Sequence, residues 1–248
     1  MRHQRSFAIT FLSFLVVAAM DTEGVIILGA DESAREENAK AMQATIEQME
    51  SIGLAMHRYM NEHETFPPPA IVNGVGKPVL SWRVAILPYL ENEACKELWS
   101  KFHLDESWDS EHNKALIAEI PAVYRCATSK LADRGLTVYQ VPHGKPTVFA
   151  GPVGIPMKMV RDGVSLTIGV VEVDDAHAVP WTSPDDLSYS PKSPARGLGG
   201  HFDGFFIAMT LDASAYAIPT GVDEEKLRGL FTPDGGEEVR FDEEFLVE

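Results

Sequence analysis

Cysteine is scarce: the 248 residues contain only Cys95 and Cys126, and no C-x-x-C pair. A disulfide-rich scaffold and the common structural zinc modules are thereby excluded. Basic charge is also short, with 21 Lys and Arg facing 37 Asp and Glu for a formal net charge of −16. The Lys and Arg residues stand singly, so no local patch offsets repulsion from phosphate, and ordinary nucleic-acid binding is excluded. Nucleophile and nucleotide signatures are missing too: there is no G-x-S-x-G, H-E-x-x-H or G-x-x-x-x-G-K-[ST]. The longest apolar run, Phe7 to Ala19, is interrupted by Thr10 and Ser13 and falls short of the ~20 residues that span a bilayer comfortably. Apolar residues are not lacking: at 45% hydrophobic the chain can build a real core, which excludes wholesale disorder.

Arg2, His3 and Arg5 precede that apolar run, and small residues follow it. A basic start, a short apolar stretch and small residues make the pattern of a secretory signal. Val17-Ala18-Ala19 satisfies a small-residue cleavage rule, and Leu28-Gly29-Ala30 offers a later one. A second apolar patch, Val25 to Ala30, keeps an uncleaved anchor open as the alternative. Residues 1–30 are therefore read as a signal peptide or N-terminal anchor, and the chain as exported: periplasmic, extracellular or held in the cell envelope. Membrane contact is expected only through that segment, if it is uncleaved.

Beyond it, the spacing predicts a helix from Ser33 to about Asn61. Ser33 followed by Glu36 has the form of a capping box. Met42, Ile46, Met49, Gly53, Met56 and Met60 recur on one face, while Glu47, Glu50, Arg58 and Glu62 mark the other. Such a stripe needs something to pack against. Phe66-Pro67-Pro68-Pro69 ends the helix. Asn73-Gly74 marks a tight turn, and short helices are expected over 81–90, 91–102 and 109–120. From there the pattern turns strand-like: 136–141, 147–150, 166–173, and a last hairpin of 205–211 with 213–218. Residues 180–200, rich in Pro, Ser and Gly, read as a long irregular loop with Gly197-Leu198-Gly199-Gly200 as a flexible turn. Asp223 to Leu230 is a final short helix, and residues 241–248 an acidic tail.

Several segments together carry a resemblance. They are Ile52-Gly53-Leu54-Ala55-Met56-His57-Arg58-Tyr59, Thr65-Phe66-Pro67-Pro68, Ser81-Trp82-Arg83-Val84 and Leu87-Pro88-Tyr89-Leu90-Glu91. Val123-Tyr124-Arg125-Cys126, Asp162-Gly163-Val164-Ser165 and Val171-Glu172 follow in order. Over Ala34 to Val239 the chain resembles the planctomycete domain-of-unknown-function family DUF 1559, described by a pilin-like start and an H-X9-DG motif near its carboxyl end. The resemblance implies an α+β, pilin-like fold related to type IV pilins and type II secretion pseudopilins. A long N-terminal amphipathic helix would pack on an antiparallel sheet within one domain, 31–240. No catalytic residues are established for that family, so the resemblance assigns none here. The prepilin leader, Gly-Phe-Thr-Leu-x-Glu, is missing around Phe7, so an ordinary signal peptide fits better. The C-terminal motif also departs: ten residues separate His201 from Asp212, and Ala213 replaces the glycine. If that glycine serves a positive φ, the hairpin is expected to be built differently here.

Candidate chemistry is sparse. Glu172, Asp174 and Asp175 end a strand and are candidate oxygen ligands for calcium, with His177, Asp185 and Asp186 following. A solvated acidic strand end is the plainer reading, since no EF-hand or RTX spacing accompanies them. His201 and Asp212 form a candidate structural pair across a hairpin, and Cys95 with Cys126 a candidate disulfide in an oxidising compartment. Trp82, Trp99, Trp108 and Trp181 could line a groove, but at least three are expected in the core. No cofactor other than calcium is suggested. The leading expectation is a non-enzymatic, pseudopilin-like structural or interaction protein whose partners are proteins or further copies of itself. The alternative is an extracytoplasmic ligand- or calcium-binding module using the acidic strand end and the loop after it.

Overall fold

The structure, a computed structural model, describes residues 24–236, with side-chain surroundings from Glu32 onward. The first cleavage candidate, Val17-Ala18-Ala19, and the acidic tail 241–248 lie outside the described residues. The chain divides into two units, 1–37 and 38–248. The described part of the first is helical, and Glu32 to Glu37 are exposed.

Helix α1 runs from Gly24 to His63. Ser33 thus lies inside the helix, and the capping-box reading is corrected: the apolar run from Val25 contains no proline, so the helix already exists before Ser33 is reached. It stops at Glu64, which takes a left-handed φ of 62° and donates its N–H to the Met60 carbonyl. No helix among the described residues is long and apolar enough to cross a membrane.

The second unit is a mixture of helix and largely antiparallel sheet, an α+β fold. Strands β1 (Ala70–Val72) and β2 (Pro78–Ser81) form a hairpin whose turn is organised by Asn73: its side chain accepts from Val75 N and Lys77 N. Helices α2 (Trp82–Ala85), α3 (Glu93–Lys101) and α4 (Glu111–Ala115) follow, capped by Ser81, Asn92 and Ser110. Short strands β3 (Leu136–Thr137), β4 (Tyr139–Gln140) and β5 (Pro142–His143) come next, then β6 (Ile168–Glu172), β7 (Val179–Pro180), β8 (Leu187–Ser188), β9 (Phe205–Thr210), β10 (Ala215–Pro219) and helix α5 (Glu224–Phe231). The expected strand at 147–150 is a turn with a single bridge, His143 to Phe149.

Four of the strands make the central antiparallel sheet, in the order β10-β9-β6-β4. All five residues of β6 are buried, so both of its faces are covered. The stripe on α1 supplies one cover, with Thr45, Met49, Ile52, Gly53 and Met56 all buried. Tyr139 of β4 donates its hydroxyl to Gln48 at 2.7 Å, and the His57 ring donates to the Leu211 carbonyl at 2.7 Å. These bonds fasten the second half of α1 to the sheet at β4 and at the β9–β10 turn. Helix α5 packs against β6 as well and buries Leu227, Leu230 and Phe231.

The β9–β10 turn contains the residue that replaces the motif glycine. Ala213 has φ 69°, so the left-handed conformation is retained rather than replaced, and the expectation of a different hairpin is corrected. Asp212 holds the turn by accepting from Ser214 N and Thr210 Oγ1. The Ala213 methyl faces the helix: a Cβ built on Gly53 would stand 2.6 Å from it. Glycine on the helix and alanine on the turn thus set the closest approach of the two elements.

None of the four tryptophans lines an open groove: two are core residues and two pack on the core. Trp82 and Trp181 are fully buried, and Trp99 and Trp108 pack against it from partly buried positions.

Candidate functional site

Three segments far apart in sequence meet beneath α1. Glu172 ends β6 directly opposite Tyr139 of β4, so both side chains share the sheet face that α1 covers. Cys126 comes from the stretch after a short 3₁₀ turn (Ala122–Tyr124), which Gln48 of α1 holds by donating to the Ala122 and Arg125 carbonyls, each at 3.1 Å. His201 arrives at the end of the 197–200 glycine run. Among the described residues, Cys126, Glu172 and His201 form the one group of three or more metal-ligand side chains whose ligand atoms all lie within 4.8 Å of one another.

Each member is positioned by a further contact. Glu172 accepts from Ile207 N at 3.2 Å and faces the Cys126 thiol at 3.5 Å. Thr128 Oγ1 lies 3.1 Å from Cys126 Sγ. His201 Nε2 donates to the Val173 carbonyl at 3.1 Å, with the Asp175 carboxylate 3.6 Å away. The glycine run that delivers His201 is pinned rather than free, which corrects the flexible-turn reading. Asp174 N donates to the Gly197 carbonyl, Val173 bridges Leu198, and Gly200 (φ 100°) is so close that a Cβ there would lie 3.2 Å from that of Asp174.

Burial controls the protonation of the cluster. It pushes the Glu172 carboxyl up to about 7, against the opposing bonds from Ile207 N and Cys126. Burial also raises the Cys126 thiol, and the neighbouring Glu172 raises it further. The Tyr139 hydroxyl is shifted upward, by burial first and by Cys126 next.

A second buried cluster lies on the Ser81-Trp82-Arg83 segment. Arg83 and Asp186, both essentially inaccessible, pair at 2.5 Å. Asp186 Oδ1 also accepts from Trp82 Nε1 and Val141 N, while Oδ2 has no hydrogen-bond partner. The Arg83 guanidinium donates to Ser81 Oγ and the Tyr139 carbonyl, and the Tyr124 hydroxyl donates to the Arg83 carbonyl. Burial pushes the Asp186 carboxyl up to about 6 against the pull of Arg83. This clamp anchors the irregular loop of residues 180–200 to the core.

The sequence-predicted site residues separate. Glu172 turns inward to Cys126, whereas Asp174 caps a 3₁₀ turn (Asp175–His177) through His177 N and bonds the His177 ring at 2.7 Å. Asp175 accepts from Ser129 at 2.8 Å. The three carboxylates of the calcium reading thus engage three different sets of partners. Cys95 and Cys126 are both buried free thiols. His201 and Asp212 have different partners, the Val173 carbonyl for the first and the β9–β10 turn for the second. Sequence reasoning missed the grouping of Cys126, Glu172 and His201, and the Arg83–Asp186 pair. One signal was present for the first: a lone carboxylate at the end of the unbroken buried run Ile168 to Val171.

The chain is thus an α+β protein whose helix-covered sheet encloses a thiol–carboxyl–imidazole group. Over residues 32–149, just under half of its length, it matches the family model described as Protein of unknown function (DUF1559). The matched segment includes Arg83, Cys126 and Tyr139; Glu172, Asp186 and His201 lie beyond it. No curated protein and no solved structure matches the chain.

Proposed function

We propose that this chain is an exported or envelope-associated, non-enzymatic protein of pseudopilin-like organisation, acting as a structural or interaction module. The observation that carries the reading is helix α1. One 40-residue helix lays its buried stripe on an antiparallel sheet through Gln48, Gly53 and His57, while Glu32 to Glu37 remain exposed. A helix whose later turns are committed to the sheet and whose residues 32–37 are exposed suits docking to a partner protein or a further copy.

The test is to express the full chain with its own amino terminus in a bacterial host, fractionate the cells and weigh the mature protein. An extracytoplasmic product starting near Met20 or Asp31, or an intact Met1 in the membrane fraction, supports export. An intact Met1 confined to the cytosol contradicts it.

A further inference from the structure

We propose that Cys126, Glu172 and His201 form a binding site for a borderline divalent cation of the zinc class. One sulfur, one carboxylate oxygen and one imidazole nitrogen, all within 4.8 Å of one another, are the donor types that zinc accepts. Calcium takes six to eight oxygens and is disfavoured by the thiol. Three protein ligands also leave a fourth tetrahedral position open.

The surroundings resemble a metal shell more than a chance polar pocket. A ligating imidazole ordinarily donates its other N–H to a carbonyl or carboxylate, and His201 Nε2 has both, the Val173 carbonyl at 3.1 Å and Asp175 at 3.6 Å. That donation leaves Nδ1 as the ring nitrogen with a lone pair. Ile207 N fixes one oxygen of Glu172, leaving the other toward Cys126. Without a cation, the buried carboxyl is left with a long contact to a weak thiol donor on that side, at 3.5 Å. Binding would ionise Cys126 and Glu172 and release their protons to solvent. The exposed group nearest to the site is Asp175, 58% exposed beside the 5% exposed His201.

The site is tested on the full chain, reduced, stripped with a chelator and titrated with Co²⁺ as a spectroscopic probe. One equivalent should produce a thiolate-to-cobalt charge-transfer band and visible bands of tetrahedral intensity, both erased by Zn²⁺. Cys126→Ser should abolish the charge-transfer band and Cys95→Ser should keep it. Glu172→Gln and His201→Asn retain the thiol and should weaken Co²⁺ binding at least tenfold; they decide the matter if Cys126→Ser fails to fold. Absence of the charge-transfer band at one equivalent overturns the site. So does a band that persists in Cys126→Ser, or unchanged affinity in both conservative variants.

Discussion

Asp186 collects three donors on a single oxygen, and one of them is the buried guanidinium of Arg83. Removing one charge from such a pair strands the other in the interior, at a cost of about 3–5 kcal/mol. Asp186→Asn is therefore expected to lower the urea midpoint by that equivalent. The double variant Arg83→Met/Asp186→Leu should recover a large part of the loss; simple additivity of the two single variants would show that the pair is not coupled. The thiols give a second test. Cys95 and Cys126 are both free, so alkylation of the denatured, never-reduced protein should label two thiols per chain. Zero labelled thiols would restore the disulfide. The Trp residues were readable from sequence because apolar bulk alone sends them inward. Arg83–Asp186 was not, because a partner 103 positions away leaves no local trace.

At the scale of elements, the contact between α1 and the β9–β10 turn rests on two small residues. A methyl added to Gly53 would meet the Ala213 backbone at 2.7 Å as well as its side chain. Gly53→Ala is expected to destabilise by roughly 1–3 kcal/mol, the usual cost of overpacking, measurable by chemical denaturation. Ala213 holds a left-handed conformation that costs a non-glycine residue roughly 1–2 kcal/mol. Its methyl returns part of that, on the order of 0.8 kcal/mol if buried. Ala213→Gly should thus raise the urea midpoint slightly, and Ala213→Val should lower it; the reverse order would mean that the turn is not strained. The helix stripe, the final hairpin and α5 were legible because their periodicities and caps are local. The start of α1 was not, since a capping-box pattern at Ser33 also fits inside a longer helix. The pinned glycine run looked flexible because its restraints, Asp174 and His177, come from a different segment.

At the scale of the molecule, the fold joins what the sequence disperses. Val-Tyr-Arg-Cys and Val-Glu carried the resemblance separately, while the C-terminal motif that holds His201 departed from it, and the sheet under α1 brings Cys126, Glu172 and His201 together. Proximity in sequence suggested grouping Glu172 with Asp174 and Asp175; instead the cross-strand register aims Glu172 at the helix-covered face beside Tyr139. Among the described residues most acidic side chains are exposed and say little about this buried group. X-ray absorption on the zinc-loaded full chain reads the group most directly. A single sulfur scatterer at about 2.3 Å with nitrogen and oxygen neighbours near 2.0–2.2 Å is the predicted first shell. A shell of oxygen and nitrogen alone, with no sulfur, would contradict it.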